Sequence, residues 1–587
     1  MNSFIEYLNS TNNAGSDSSG SLAEKQFKSS FYDEIKVNRK IGSYISQCIS
    51  EGKPEAFIIT GHAGDGKTSI LVQVLKDSGL LDERAELLAE DELDKLYYIK
   101  DMSEISPLRQ AEVLETALLA PQKGKCSILI SNTGPLIAAF NQLVKRNHEE
   151  SHTEYSEKDK LLLQSKLLEQ MDTNSEEPIT IDQYRFHLLN IARADNVIFA
   201  KKILKKIVAD HLWSACDTCS CKGTCPILHN KCLISSHFDR VGGFIENYYR
   251  FLMENDKRLT IRQMVGQISF AITGNLTCAK VPNLKSPFFR YNIANLFFGY
   301  VGQTESKDAD QIKGIKQIKM LGLDKIALDS DYDLFVNNNL DCFTADLHAD
   351  IKEFIEKNRS MLRKSPDEDD GAELLKRDLN ARRAIRRFYL LFGNTLGNSD
   401  HTYASIYNQV FGTYFSDYKK LISGIQSQIT LKNMKDVVFK ALYVKNTGFL
   451  PTTEDRLPLT LRRQDDVYQS AMLVLGRVEK RSLSVKQKKR NNKFDDMEEH
   501  YDLVLEIGHD EYKLSLPLLT YFDLLNRGAV ASNNNPALTH GIARLDALLL
   551  SAYRSSDEDN ELMVLINTIS GQQPMTLTFE DKSMRVD

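Results

Sequence analysis

The sequence predicts an α/β P-loop NTPase core with a helical lid, followed by a mostly helical domain and a β-rich C-terminal domain. Three observations carry this reading. The run Ala56-Phe57-Ile58-Ile59-Thr60 leads into Gly61-His62-Ala63-Gly64-Asp65-Gly66-Lys67-Thr68 and then an amphipathic segment, which is the order strand, G-x-x-x-x-G-K-T, helix. Two more buried-strand patterns, 96–99 and 126–131, end in polar residues. Beyond residue 280 the periodicity is helical, and beyond about residue 455 it alternates as strands do.

The length of 587 residues accommodates about three or four domains. With 42% hydrophobic and 26% charged residues, the chain is neither a fibre nor a disordered polymer. Its 74 basic and 80 acidic residues leave a net charge of −6, so no global basic field draws it to nucleic acid. Any DNA contact must be local. No apolar run approaches a membrane span, and the start Met1-Asn2-Ser3-Phe4 lacks a basic region before a hydrophobic core. A cytoplasmic protein without membrane contact is expected.

The Ser-, Asn- and Gly-rich stretch 10–22 has little to bury, so residues 1–25 read as a flexible tail. The nucleotide-binding domain with its lid then covers 26–280, the helical domain 281–455 and the β-rich domain 456–587. In the first, Gly61, Gly64 and Gly66 let backbone N–H groups converge on a β-phosphate at a helix N-terminus. Lys67 brings a point charge to the β/γ-phosphates, and the Thr68 hydroxyl suits Mg²⁺. Asp65 and Ser69 complete the stretch assigned to ATP. Ile70, Leu71, Val74 and Leu75 share a helix face, and Gly79 sits where a C-terminal cap belongs.

Asp101 follows the strand 96–99, which is expected beside the P-loop strand, and is the candidate Mg²⁺-organising carboxylate. Its alternative reading is a turn or N-cap residue after the strand. The usual adjacent glutamate is missing, which makes Glu104 the best water activator and implies slow hydrolysis. Ser106-Pro107 opens a helix to about residue 120. Asn132, at the carboxyl end of the strand 126–131, is placed like the polar sensor residue of AAA+-type ATPases, or else forms a turn before Gly134. The core is therefore AAA+-like in expectation. Residues 146–180 look like an exposed insertion, and helical periodicity resumes over 186–213. There Lys201, Lys202, Lys205 and Lys206 form a solvated stripe or a phosphate contact.

Five cysteines fall between Cys216 and Cys232. In a reducing compartment that clustering favours a structural Zn²⁺ over disulfides. The candidate ligands are Cys216, Cys219, Cys225 and Cys278, with Cys221 and Cys232 competing for the fourth place. Thr260-Ile261-Arg262-Gln263 is a capping box, and Arg262 in its first turn is either a γ-phosphate sensor or an exposed side chain. Arg382, Arg383, Arg386 and Arg387 share a helix face. They pair with the acidic run 367–370, or else contact DNA phosphate or serve as an arginine finger in an oligomer. The basic stretch 478–498 reads as a loop that is solvated or touches nucleic acid.

Gly61–Thr68, Asp-x-Ser-Glu at 101–104, Asn-x-Gly-x-Leu at 132–136 and Cys-Pro-Ile-x-x-Asn at 225–230 occur in one order. In this the region 26–280 resembles the F-component ATPases of DNA phosphorothioation-dependent restriction systems (Dpt/Dnd type), or closely related prokaryotic defence ATPases. The resemblance implies an ATPase subunit of an anti-phage restriction complex. Its turnover would license or drive restriction of unmodified DNA by partner subunits. The alternative is a nucleotide-gated switch or scaffold with slow hydrolysis. Asp-Met-Ser-Glu and the extra cysteines depart from the family pattern, and no nuclease motif stands out, so cleavage is expected to reside in a partner.

Overall fold

A computed structural model describes residues 2–13, 29–80, 87–173, 175–285, 287–331, 334–335, 343, 347, 349–352, 354–355, 372–393, 400–461, 470–490, 492–529, 536–553, 561–568, 571–580 and 583–586. The chain divides into two compact units. Unit 1 comprises Met1–Met253, Lys257–Asn398 and Asn491–Glu498; unit 2 comprises Glu254–Asp256, Ser399–Arg490 and Glu499–Asp587. Among the described residues no helix is long and apolar enough to cross a membrane.

Unit 1 is organised by a six-stranded sheet of β1 (Ala56–Thr60), β2 (Glu90–Glu92), β3 (Leu96–Ile99), β4 (Cys126–Ser131), β5 (Ile179–Ile181) and β6 (Tyr184–Asn190), in the order β2-β3-β4-β1-β6-β5. β3, β4, β1 and β6 run parallel, and β2 and β5 add antiparallel edges. All five residues of β1 are buried. Ala56 and Ile58 enter one core with Leu136, Phe140 and Leu143, while Phe57 and Ile59 enter the opposite core with Ile41, Ile45 and Leu71. This two-residue alternation between covered faces explains an unbroken apolar strand.

Three sequence expectations are corrected here. Residues 184–190 form β6 rather than the start of a helical stretch, and the helix Phe199–Ile207 begins only later. Tyr184-Arg185-Phe186-His187-Leu188 alternates apolar and polar residues as a strand does, with Tyr184, Phe186 and Leu188 in one core, and the helical pattern belongs only to the residues further on. Nor is 146–180 simply an exposed insertion: in the helix Glu157–Thr173, Leu163, Leu167 and Met171 enter the sheet's core. The tail is helical over Ser3–Asn13, with Phe4, Ile5 and Leu8 buried. It lies on the helix Ile261–Thr273, where Thr11 Oγ1 donates to Ser269 Oγ at 2.9 Å. The polar residues of 10–22 mask that short apolar face; most of the expected linker, 14–28, lies outside the described residues.

The Cys-Pro-Ile-x-x-Asn motif acts in packing. Asn230 Nδ2 donates to the carbonyls of Ile272 (3.0 Å) and Tyr291 (2.8 Å), and its Oδ1 accepts from the Ile293 amide (2.8 Å). The arginine helix, Ala372–Phe392, finds other acids than the run 367–370, which lies outside the described residues. Arg386 pairs with Asp331, and buried Arg387 pairs with Asp324 at 2.9 Å and lies over the Tyr300 ring. Tyr300 belongs to the small hairpin of β7 (Tyr300–Val301) and β8 (Thr304–Glu305).

Unit 2 contains β9 (Arg456–Leu461), β10 (Ala471–Glu479), β11 (Leu483–Lys489), β12 (Tyr501–Ile507), β13 (Asp510–Lys513), β14 (Glu561–Thr568), β15 (Gly571–Glu580) and β16 (Ser583–Val586). They form sheets of order β16-β15-β14-β10-β9 and β11-β12-β13, accompanied by helices such as Gln428–Thr447, Leu516–Asn526 and Pro536–Tyr553. Within the stretch expected to be a basic loop, Leu483–Lys489 forms β11, whereas 492–498 is irregular. Four cations of this stretch are paired: Lys486 to Glu506, Lys488 to Glu511, Lys489 to Glu499 and Arg490 to Asp502.

Candidate functional site

The 61–68 loop connects the carboxyl end of β1 to the helix Lys67–Asp77. Gly64 and Gly66 have φ of 85° and 91°, the left-handed region that glycine adopts without a Cβ clash. A Cβ at Gly64 would also lie 3.1 Å from Thr260 Oγ1, so the loop closely approaches the capped start of the helix Ile261–Thr273.

Lys67 closes the loop on itself. Its Nζ donates to the carbonyls of Gly61 (2.6 Å) and His62 (3.1 Å) and to Asn132 Oδ1 (3.2 Å). Burial pushes the ammonium pKa down, against the opposing pull of Asp65 and Asp101. Asn132 is the N-cap residue of the helix Thr133–Glu150, yet its side chain makes no capping bond and reaches Lys67 instead.

β3 does not adjoin β1, contrary to expectation, because β4 lies between them. Asp101 nevertheless remains within electrostatic reach of Lys67. Its Oδ1 accepts from the Ser103 amide at 2.9 Å and the Ser103 hydroxyl at 2.7 Å, so it caps the short turn Met102–Glu104. Glu104 is turned to a salt bridge with Lys100 at 3.2 Å and is 46% exposed, so water activation requires it to leave that partner. Thr68 is half-buried, and Ser69 Oγ accepts from Tyr32 OH at 3.0 Å. Burial pushes the Tyr32 phenol up to about 12.

Asp65 points inward. Fully buried, it accepts from Arg258 Nη1 at 2.6 Å on one oxygen and from the His62 amide at 2.9 Å on the other. Its carbonyl accepts from Arg39 Nη2 at 3.4 Å, and Arg39 also bonds Asn196 and pairs with Asp496 at 2.7 Å. Arg258, Arg39 and Asp496 are absent from the sequence-derived set. Arg262, in the first turn of the helix Ile261–Thr273, is half-buried beside Gly64. Burial pushes its guanidinium pKa down and Tyr32 opposes this; among the described residues no carboxylate pairs with it.

The thiols of Cys216, Cys219, Cys225 and Cys278 are free. Burial pushes the Cys216 and Cys225 thiols up, and Cys278 is near enough to add to both. Cys216 Sγ accepts from Asn2 Nδ2 at 3.4 Å. Among the described residues no group of three or more His, Cys, Asp or Glu is arranged to hold a metal ion. Comparison with protein-family models, curated proteins and solved structures finds no match to this chain.

Proposed function

We propose that unit 1 binds ATP with Mg²⁺ through a P-loop and hydrolyses it, as the ATPase subunit of a prokaryotic anti-phage complex in which partner proteins restrict unmodified DNA. The observation that carries the nucleotide reading is the buried Lys67 ammonium, held by loop carbonyls and Asn132 at the start of a helix. A buried ammonium with only neutral oxygen partners is a strong receptor for an anion. Arg262, with no carboxylate of its own among the described residues, faces the same loop.

In this reading the loop amides and helix N-terminus receive the β-phosphate, and Lys67 exchanges its carbonyl partners for β/γ oxygens. Thr68 and Asp101 are the residues that would hold Mg²⁺, which would supply charge to offset that developing on the phosphoryl group. Asn132 aligns the attacking water or the γ-phosphate, and Arg262 meets the latter from the lid. The restriction role rests on the family resemblance of the four motifs. Equilibrium ATP binding, and turnover with and without DNA and co-expressed neighbouring proteins, test the two parts separately.

A nucleotide-gated switch or scaffold with slow hydrolysis is the second reading. It is favoured by Asp101 capping a turn and by Glu104 being held by Lys100. A structural Zn²⁺ remains a proposal on donor chemistry, since Cys278 neighbours both Cys216 and Cys225.

A further inference from the structure

Arg258 joins three pieces of unit 1. Nη1 donates to Asp65 Oδ1 at 2.6 Å, Nη2 to the Ile191 carbonyl at 2.8 Å and Nε to the Ala194 carbonyl at 3.1 Å. One guanidinium thus spans the 61–68 loop, the turn that follows β6 and the chain leading to Thr260, the N-cap of the helix Ile261–Thr273. The Asn196 amide group adds a parallel tie by donating to the Leu259 carbonyl at 3.1 Å.

The energetics make the loop conditional on this joint. Asp65 has no exposed surface, and a buried carboxylate stripped of its cation is strongly destabilised. Yet a buried ion pair contributes little net stability over an apolar pair of equal size, so stability alone does not account for a charge in the middle of a glycine loop. The pair does fix geometry. It sets Asp65, whose other oxygen holds the His62 amide, and through the short link 258–262 it sets Arg262.

We propose that Arg258 is a positioning residue for the nucleotide site. Acting through Asp65, it holds the loop in its anion-accepting form and makes the loop and the Arg262-bearing helix respond to nucleotide as one body. This rests on the nucleotide-binding reading above. In this proposal the Arg258 and Asp65 side chains act on the shape of the loop, and any phosphate contact at Asp65 is left to its backbone amide.

The test titrates the full chain with a fluorescent ATP analogue, comparing wild type, Asp65→Asn, Arg258→Gln, Arg258→Lys and the Asp65→Asn/Arg258→Gln double variant, with Tm measured alongside. Each of Asp65→Asn and Arg258→Gln should weaken binding about tenfold or more, and the double variant should lose no more than the worse single. Arg258→Lys should recover part of the loss. In wild type, ATP should slow amide hydrogen exchange over 61–68 and 258–264 together. Lowered Tm with unchanged affinity, multiplicative losses in the double variant, or protection confined to the loop would each overturn the proposal. If the variants do not fold, exchange in the wild-type chain decides. A wild type that binds no ATP removes the nucleotide reading and this proposal together, whereas binding lost in Lys67→Ala but intact in the Asp65 and Arg258 variants removes the proposal alone.

Discussion

Lys67 and Asn132 are hydrogen-bonded at 3.2 Å, which joins the lysine of the glycine loop to the residue at the carboxyl end of β4. Sixty-five positions separate them in the chain, and the parallel pairing of β1 with β4 brings them together. A ligand that draws the ammonium outward therefore also releases the Asn132 side chain.

Lys67→Ala should remove a charge-assisted contact of about 1.5–3 kcal/mol and weaken ATP binding roughly 10- to 150-fold. Equilibrium titration with a fluorescent ATP analogue measures this. Unchanged affinity would end the P-loop reading.

Glu104→Gln should leave ATP bound and slow turnover, while Asp101→Ala should also weaken Mg²⁺-dependent binding. Loss of the Asp101 cap adds a destabilisation of about 0.5–2 kcal/mol, so binding must be compared below the onset of unfolding. Full hydrolysis in both variants would reduce these residues to turn formers.

For the cysteine cluster, elemental analysis should find about one zinc per chain in a colourless protein. Cys216→Ser and Cys225→Ser should lower Tm, because the 216–225 segment has little apolar surface of its own to hold it. Metal-free protein with wild-type stability in both variants, or bound iron and sulfide, would refute this.

In unit 2, burial alone would raise Asp502, but hydrogen bonds and charge from Arg490 and Lys513 hold its carboxyl well below the usual carboxylate range. A folded pKa below the unfolded one gives stability that is present above pH about 4 and lost as the pH falls toward the depressed folded value. The site is partly solvated, so Asp502→Asn should lower Tm by only about 2–4 °C at pH 7. The gap to wild type should close on acidification below pH about 4. A gap that stays constant with pH would refute the assignment.

Phe494 is 7% exposed, with its ring against Tyr44 and His187 in the core that holds Phe57. Phe494→Ala should destabilise unit 1 by about 3–5 kcal/mol. Denaturant unfolding followed at Trp213, the chain's single tryptophan, which lies buried in unit 1, reads this directly. An unchanged midpoint would show that the segment contributes nothing to that core.

The glycine spacing, Lys67 and the capping box at Thr260 were legible in sequence because each is a local pattern with its own chemistry. Arg258 lies 193 positions from Asp65, and Arg39 lies 457 from Asp496. No local period records such pairs. β6 carries a local signal, the alternation Tyr184-Arg185-Phe186-His187-Leu188, but over a window that runs on into the helix Phe199–Ile207 the helical period dominates. Asp101 shows a third limit: its strand, β3, is expected beside β1, but order along the chain does not set order in the sheet, and β4 lies between them.

The place of Phe494 and Asp496 in unit 1 bears on synthesis. The ribosome delivers the sheet, the glycine loop and Arg39 long before it delivers Asp496. At about 5–20 residues per second, the stretch between residue 398 and residue 496 takes on the order of ten seconds to emerge. Throughout that interval the nascent first unit has an apolar gap beside Tyr44 and a buried guanidinium lacking its acid. A gene truncated before codon 494 would therefore yield an unfinished core rather than a free-standing module.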